Sequence, residues 1–485
     1  MTTKDDVSDL RSLGYEQKLH RTMGTFTSFA LAFSMVSINT GVISMFADPF
    51  NRVGGAGVWL WFIVIPLVAC IVMVYAHLSS RIPVTGYAYQ WSSRLVNKHY
   101  GWFTGWIALL SFIAGTAGTA SALGSVFAGE IWAEPTQLQV QILSIGATIV
   151  VCGLNMLGIK RATQMNNLGA IVEIIGTVVV MALLAFGILF FFHDKQPVSI
   201  LADTTPLSGT PISFWTVALA MLLPVNVLLG WEGAADLAEE TLDPRRAAAS
   251  AMFKAVGWSS VMGVGIFALL MLSIPGSVAD LMGQPENPVI HLVRLQFGNA
   301  AAWIFIVMSF ISIFACLIAN MAVATRMTYA LARDKMLPFS GLLGKMNERA
   351  GTPVGAIIFI TVIAAILNMA SGGIVTALYS MVGLTYYAVY FLTLLGAWMA
   401  FRSGRMPAAP AGTFGLGNAL LPVAGIGILW TLFVMATFSI PDESHPGAIA
   451  MLVMLAIGFV WWVVKLRGDL TAGRAGPPTT SAVSK

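Results

Sequence analysis

Two carboxylates in apolar surroundings are the residues of this chain best placed to do chemistry. Glu173 is the only acidic residue deep within an apolar segment (NNLGAIVEIIGTVVV), and Glu232 follows an interrupted one (GWEGA). A charge in the hydrocarbon region of a membrane costs at least ~2.5 kcal/mol, so each acid should be protonated, paired or in contact with water. A carboxylate that titrates there can move a proton. The alternatives are a neutral structural acid at Glu173 and a structural tie to the adjacent loop at Glu232.

Two apolar segments carry residues that interrupt a helix. The first, FTSFALAFSMVSINTGVISMF, breaks at Asn39–Gly41, and the second, FWTVALAMLLPVNVLLGWEGA, contains Pro, Asn and Gly. An unwound helix exposes backbone groups that a substrate ammonium and carboxylate could satisfy, and the N–H groups of the resumed helix favour an anion. Packing kinks, and an Asn226 bonded to a neighbouring helix, are the alternatives. The predicted substrate-binding residues are Ser37, Ile38, Asn39, Thr40, Gly41, Asn226, Val227, Gly230 and Trp231.

The composition predicts that these segments belong to a membrane protein. Only 10% of the 485 residues are charged, against ~25% in soluble domains, while 57% are hydrophobic and the mean hydropathy is +0.81. A soluble fold of this size could not cover so much apolar surface. We therefore expect an all-α integral membrane protein with spans of about 20 residues. The twelve predicted transmembrane helices lie near residues 25–47, 55–77, 101–131, 138–158, 165–192, 212–234, 252–273, 300–330, 353–371, 374–400, 416–438 and 447–466.

Charge and internal similarity predict the topology. Of the 26 Lys and Arg, all but Arg52, Lys195 and Arg294 fall in the tails or in loops on one side, which predicts cytoplasmic termini. Both interrupted segments contain Ala-Leu-Ala followed by Asn and Gly, which indicates two five-helix repeats of opposite orientation, unless the similarity is chance. The predicted units are a cytoplasmic tail (1–24), a first repeat (25–192), an extracellular loop (193–211), an inverted repeat (212–400), two added helices (401–466) and a cytoplasmic tail (467–485) expected to be disordered.

Two further groups of residues have more than one interpretation. The run AGTAGTASALGS in the third span would let helices pack closely, or would line a cavity wall. Asp236, Glu239 and Glu240 are expected at a cytoplasmic helix end as a gate or a solvated face. The nearby Arg245 and Arg246 are expected to neutralise them.

Other classes of function lack their signatures. The net charge of +4 and the absence of a basic patch argue against nucleic acid binding. The histidines do not cluster at ligand spacing, and Cys70, Cys152 and Cys316 lie in apolar runs typical of buried thiols. The run GLNMLGIKR has Ile159 where a phosphate loop requires Lys. No cofactor or metal is expected, so transport would use a transmembrane gradient or exchange.

Three loop segments resemble the signature stretches of the amino acid-polyamine-organocation (APC) transporter superfamily. They read HLSSRIPVTGYAYQWSSRLVNKHYGWFTGWI (77–107), GWEGAADLAEETLDPRRA (230–247) and ATRMTYALARDKMLPFSGLLGKMNERAGTPVGAI (324–357). The opening LGYEQKLHRTMGTFTSFALAFS (13–34) is most similar to the amino acid, GABA and choline permease branch. The resemblance implies a LeuT-like five-plus-five inverted repeat in which helices 1 and 6 are broken.

The resemblance also implies roles for particular residues. The family usually has Gly-x-Gly where this chain has Asn-Thr-Gly, and some exchangers carry an aromatic gate at the place of Asn226. Glu173 falls where a proton-driven member has a lysine in place of a sodium ion. An acid at the place of Glu232 is implicated in proton linkage in related exchangers. Glu173 and Glu232 are therefore predicted to couple ions or protons to transport.

The sequence thus predicts a secondary transporter of the inner or plasma membrane that imports a small amine-bearing solute by alternating access. A proton gradient is the expected drive, with sodium coupling or exchange left open. An amino acid or GABA-like zwitterion is favoured over choline, a polyamine or another organic cation, because deep carboxylates are few. The expected partners are this solute and the lipid bilayer, and the oligomeric state is not indicated. Rival classes are a membrane enzyme, a channel with polar rings and a sensor.

Overall fold

In the residues that the computed structural model describes, every regular element is a helix, and two isolated β-bridges are the only β-pairing. It describes residues 3–132, 134–284, 286–347, 350–369 and 372–478. The all-α class is therefore as expected from the apolar composition.

The α-helices differ widely in length, because long apolar helices alternate with short ones at breaks and in loops. They are α1 (Thr3–Ser12), α2 (Thr25–Val36), α3 (Ile38–Met45), α4 (Asp48–Val53), α5 (Leu60–Ser79), α6 (Tyr87–Leu95), α7 (Lys98–Ile131), α8 (Gln137–Met156), α9 (Ile159–Phe186), α10 (Phe214–Ala220), α11 (Leu222–Val227), α12 (Gly233–Asp236), α13 (Pro244–Leu272), α14 (Val278–Met282), α15 (Pro288–Phe297), α16 (Asn299–Arg333), α17 (Ser340–Leu343), α18 (Val354–Asn368), α19 (Gly372–Arg402), α20 (Leu420–Thr437), α21 (His445–Trp461) and α22 (Arg467–Thr471). Short 3₁₀ helices occur at Gly54–Trp59, Val198–Ala202, Ala238–Glu240, Gly417–Ala419 and Asp442–Ser444, and π-helical turns at Gly187–Phe191 and Trp462–Leu466.

Ten helical segments of the described chain are long and apolar enough to cross a membrane. Two shorter apolar helical segments, Phe214–Val227 and Val354–Asn368, coincide with the sixth and ninth predicted spans. Large apolar side chains such as Leu189, Ile304 and Val464 remain mostly exposed on the outside of the bundle, as expected of a surface that faces lipid. The chain is thus a multi-pass membrane protein, while twelve crossings and the inverted repeat stay predictions.

The first interruption lies at Ser37, two residues before the predicted break at Asn39–Gly41. Helix α2 ends at Val36, Ser37 adopts a left-handed conformation (φ 38°, ψ 83°), and α3 resumes at once. Asn39–Gly41 therefore form the first turn of the resumed helix. A non-glycine residue in this conformation is strained by roughly 1–2 kcal/mol, which the hydrogen bonds of the Ser37 hydroxyl help to offset.

The second interruption follows α11 and runs from Leu228 to Glu232 before α12 begins. Gly230 has φ 88°, and a Cβ atom there would lie only 2.9 Å from the Met35 Cβ. A Cβ on Gly41 would likewise lie 2.4 Å from the Val227 Cγ2. Glycine is required at these points because the two interrupted helices pack directly against each other.

Both described ends of the chain lie on the same face of the bundle. The backbone N–H of Gly476 donates to the Asp334 carbonyl at 2.8 Å, and the Tyr15 hydroxyl donates to the Asp334 carboxylate at 2.7 Å. Leu470 and Ala475 are buried. The expectation of a disordered C-terminal tail is therefore wrong for residues 467–478, because apolar side chains dock this segment under the bundle; residues 479–485 lie outside the described residues.

Candidate functional site

A cavity of ≈ 1110 Å³ lies between the two interrupted helices and α7, α16 and α19. Ser37, Thr40 and Gly41 line it from the first interruption. Asn226 and Gly230 line it from the second. These predicted binding residues, which are far apart in the sequence, therefore share one wall, and their polar groups face a space large enough for a small solute.

Ile38, Asn39 and Val227 lie behind this wall rather than in it. Ile38 is fully buried, and the Asn39 side chain accepts a hydrogen bond from Thr177 at 3.5 Å. Val227 packs against the space that Gly41 leaves open. Direct contact of these residues with a substrate stays a prediction, and in this conformation their observed contacts position the neighbouring wall residues.

Glu173 is fully buried behind the first interruption. Its Oε1 accepts hydrogen bonds from the Asn39 backbone N–H (3.3 Å) and the Ser37 hydroxyl (3.4 Å). The carboxylate thus lies at the N-terminus of α3, where the helix dipole favours a negative charge. The Ser37 hydroxyl is also 2.6 Å from that of Thr40, which lines the cavity. Two hydroxyls therefore connect the cavity to the buried acid, whose Oε2 has no hydrogen-bond partner in the described chain.

Glu232 is fully buried next to the second interruption, within a cluster of aromatic rings. The Tyr390 hydroxyl donates to its Oε2 at 2.8 Å, and no partner for Oε1 is found among the described residues. The Trp231 indole stacks on the Tyr390 ring at 5.3 Å between centroids, and the Tyr75 ring meets Tyr390 edge-on. Trp231 is thus part of this cluster and does not line the cavity. The hydrogen bond from Tyr390 therefore links Glu232, which belongs to the second interruption, to α19.

The run of small residues in α7 was expected either to let helices pack closely or to line a cavity, and it does both. Gly115, Thr119 and Ala122 line the cavity. On another face of the helix, a Cβ on Gly124 would lie 2.2 Å from the Ser144 hydroxyl of α8. The same run therefore supplies a cavity wall on one side and close helix packing on the other.

Charged residues line the cavity at one end, which we call the mouth (Glu130, Glu286 and Arg294). Arg294 donates to Glu130 at 3.2 Å and to Glu286 at 2.7 Å, and the His291 Nδ1 lies 2.7 Å from Glu286. Burial disfavours the charged form of Glu286, but the hydrogen bonds from Arg294 and His291 outweigh it and hold its pKa below the ordinary value. These ion pairs hold the loop before α15 against α7 at the mouth.

Buried ion pairs close the opposite end, which we call the closed end. Arg326 binds Glu240 through two hydrogen bonds of 3.0 and 2.9 Å, and neither side chain is exposed. Arg333 likewise donates to both oxygens of Glu239 at 3.0 Å. These contacts join the turn after the second interruption to α16, and they close the cavity on this side.

The expected neutralisation of this turn by Arg245 and Arg246 is wrong. Arg245 pairs with Asp9 at 2.6 Å, and Arg246 lies 3.8 Å from Asp243. The new helix begins at Pro244 and carries both arginines away from the acidic turn. The direction of α13 therefore determines which acids these two arginines reach, although the acidic turn is near them in the sequence.

A second cluster at the closed end, centred on Asp334, was not predicted. Its carboxylate accepts hydrogen bonds from Tyr15 (2.7 Å), Tyr89 (2.7 Å) and Gln90 (3.0 Å). The N-terminal segment is thereby held beneath α6 and α16. Each of these residues is an ordinary loop or helix-end residue in the sequence, so only their proximity in the fold identifies the cluster.

Two cavity residues were also missed. Asn320 and Tyr386 line the cavity from α16 and α19, and the only signal for Asn320 is an amide within the apolar run FACLIANMAV. In the part of the chain that the structure describes, no group of three or more His, Cys, Asp or Glu could hold a metal ion.

A multi-pass helical protein with a cavity of mixed polar and apolar lining between two interrupted helices, open at one end and closed at the other, has the build of a membrane transporter. The chain belongs to the amino acid permease family, whose profile matches residues 23–464. This confirms the resemblance to the APC superfamily and points to a transporter rather than an enzyme.

Curated relatives agree with this assignment along nearly the whole chain. Amino-acid permease BAT1 of Arabidopsis thaliana is 23% identical over 94% of this chain and 94% of its own length. Its homolog in Oryza sativa subsp. japonica is 25% identical over 90% of this chain and 88% of its own. Amino-acid permease 2 of Neurospora crassa is 22% identical over 100% of this chain and 92% of its own.

Proposed function

We propose that this protein imports a small zwitterion, an amino acid or a GABA-like molecule, across the inner or plasma membrane by alternating access. The observation that carries the proposal is the cavity wall built from both interrupted helices, with Ser37, Thr40, Asn226 and Gly230 facing one space. The similarity to amino-acid permeases supports an amino acid as the solute.

The conformation described above would be the outward-facing one. The mouth carries Arg294, one of the few basic residues that the charge distribution assigns to the outside. The closed end carries the described parts of both tails, which the same distribution assigns to the cytoplasm. Transport requires the ion pairs of Glu239 and Glu240 to separate while the mouth closes.

The ends of the half-helices provide places for both charges of a zwitterion. The carbonyl ends of α2 and α11 carry the negative pole of the helix dipole and attract the ammonium. The first turn of α3 carries the positive pole, and Thr40 and Gly41 in this turn line the cavity. Asn226 adds an amide that donates and accepts. It is partly buried and lies 3.8 Å from the Met45 sulfur.

Glu173 is our first candidate for proton coupling. Its hydrogen bonds to Ser37 and Asn39 require an acceptor oxygen at the start of α3, and protonation removes the negative charge that stabilises this helix end. Binding of a substrate carboxylate at the same turn would favour the protonated form, because two negative charges repel. Glu232, tied to α19 through Tyr390, is the second candidate.

Transport of an organic cation such as choline is the second candidate function. The mouth has two carboxylates, Glu130 and Glu286, for one Arg294, and Tyr386, Trp303 and Phe438 supply aromatic faces along the cavity. An excess of negative charge attracts cations, and aromatic faces bind quaternary ammonium groups.

Uptake into proteoliposomes tests the proposal. The labelled panel contains GABA, neutral, acidic and basic amino acids, choline and putrescine, each with and without an inward proton gradient. We expect saturable, gradient-dependent uptake of a zwitterion. Uptake of choline alone would favour the second candidate, and uptake of none of these solutes would contradict the proposal.

The Glu173→Gln variant tests proton coupling separately from substrate binding. Glutamine keeps the shape and an acceptor oxygen but does not titrate, so we expect exchange to continue while gradient-driven accumulation is lost. Glu16→Gln, at an exposed position of the N-terminal segment, is the matched control and should behave as the parent. Unchanged accumulation by Glu173→Gln would refute its role, and a sodium gradient in place of the proton gradient tests the other drive.

A further inference from the structure

The cavity has no charged lining residue away from its mouth within the described chain. Glu130, Glu286 and Arg294 are the charged lining residues, and Glu130 is about 22 Å along α7 from Gly115 at 1.5 Å per residue. Around Gly115 the wall is built from amide, hydroxyl, thiol and phenol groups. A charged side chain on an amino acid substrate, in addition to the ammonium and carboxylate, would therefore have no opposite charge beside it in this region.

Asn320 presents an unused hydrogen-bond acceptor to this region. The residue is 5% exposed, and its Nδ2 donates to the Cys316 carbonyl at 3.0 Å and to the Thr119 hydroxyl at 3.5 Å. These bonds fix the amide with Oδ1 turned the other way. No donor to Oδ1 is found in the described chain, and a Cβ on Gly115 would lie 3.0 Å from this atom.

Asn320 and Tyr386 line the cavity next to Gly115. A Cβ on Gly115 would lie 3.6 Å from the Tyr386 hydroxyl, so an acceptor from α16 and a phenol from α19 flank the same glycine on the cavity wall. A small polar group in the cavity beside them can donate to Asn320 Oδ1 and accept from Tyr386.

We propose that Asn320 determines specificity by accepting a hydrogen bond from the substrate side chain, so that the transporter selects amino acids with an uncharged side chain bearing a donor, a hydroxyl or an amide. The inference rests on the proposed function, since it assumes that the ammonium and carboxylate bind at the interrupted helices. Basic and acidic amino acids are rejected because their extra charge is left unpaired. Apolar side chains of similar size lose one hydrogen bond, about three- to tenfold in apparent affinity.

Asn320→Asp tests the proposal by a gain of function. The substitution keeps the shape but places a negative charge where the substrate side chain ends. We expect new uptake of lysine and ornithine and a fall in glutamine uptake of at least tenfold. The wild type should take up glutamine and serine in preference to lysine and glutamate.

Asn368→Asp is the matched control. Asn368 is also buried and donates to the carbonyl four residues earlier, Ala364, in the same way as Asn320 to Cys316, but it does not line the cavity. This variant should keep the parental order of substrates. A gain of lysine uptake in both variants would show that an added negative charge has this effect wherever it is placed. That result would overturn the proposal.

Gly115→Ala gives a second test if Asn320→Asp does not fold. The added methyl group would lie 3.0 Å from Asn320 Oδ1 and hinder access to it, so glutamine uptake should fall more than alanine uptake. An unchanged glutamine-to-alanine ratio would overturn the proposal. Wild-type uptake of an amino acid together with unaltered selectivity in the variants would refute this inference alone, whereas no wild-type uptake of any zwitterion, GABA included, would refute the proposed function with it.

Discussion

Removal of one charge from the closed end is predicted to shift the protein away from the conformation that we propose to be outward-facing. Glu240→Gln leaves the Arg326 guanidinium, which is 0% exposed, without its carboxylate. Breaking a buried pair by removing one partner costs about 3–5 kcal/mol. At 1.4 kcal/mol per tenfold, this corresponds to a shift of about a hundredfold to a few thousandfold in the equilibrium between conformations.

The full shift appears only if Arg326 reaches water when the closed end opens. The two hydrogen bonds of 2.9 and 3.0 Å and the complete burial put this pair at the upper part of the range. If the pair stays buried in both conformations, the same energy is lost from folding instead, and the melting temperature falls while the conformational equilibrium does not change.

Labelling from outside distinguishes these outcomes. Ser44 lines the cavity and is exposed in this conformation, so Ser44→Cys in a background with alanine at the native cysteines reports on access from the mouth. An impermeant maleimide should label the parent quickly and the Glu240→Gln variant at least tenfold more slowly. Glu443→Gln, which breaks an exposed pair with Arg52, is the control and should label as the parent.

The double variant Glu240→Gln with Arg326→Gln restores neutrality and should recover most of the labelling rate. A labelling rate in Glu240→Gln within twofold of the parent, at an unchanged melting temperature, would refute the reasoning that this pair closes the cavity.

Three further predictions concern the cavity wall and its mouth. Asn226→Ala should raise the apparent affinity constant for the substrate without loss of folded protein, and an unchanged constant would reject its role. Gly230→Ala should lower the melting temperature and transport, because a left-handed residue other than glycine costs roughly 1–2 kcal/mol and the added Cβ would clash with Met35. Gly146→Ala, in the interior of α8 with no atom within 4 Å of the added Cβ, is its control and should lower neither the melting temperature nor transport. Because the Glu286 pKa is lowered on folding from its ordinary 4.5, this acid stabilises the fold above that value and stops doing so as the pH falls through the lowered pKa. The melting difference between wild type and Glu286→Gln should therefore be present at neutral pH and vanish in acid.

Apolar run length was enough to locate the long apolar helices, but the position of the first break needed the fold. Each predicted span overlaps an apolar helix of the structure. The break before α3 was placed at Asn39–Gly41 because Asn and Gly favour irregular backbone, whereas the observed left-handed residue is Ser37. Its conformation is supported by Glu173, 136 residues away, which no local rule detects.

Long-range partners explain most of what the sequence could not provide about the site. Arg326 and Arg333 are 86 and 94 residues from the acids they bind, so the nearer arginines were the natural expectation. Asn320 resembles any amide in a membrane helix until its neighbours are known. The predicted binding and coupling residues are brought near one cavity, and their roles stay predictions that transport measurements will decide.

The position of Asp334 has a consequence for biosynthesis. Its carboxylate binds Tyr15, 319 residues earlier, and its carbonyl binds the backbone of Gly476. During translation Tyr15 is available early, but the contact with Gly476 forms only after residue 476 has left the ribosome. A chain that stops before residue 476 lacks this contact, so the closed end is completed only after residue 476 has been synthesised.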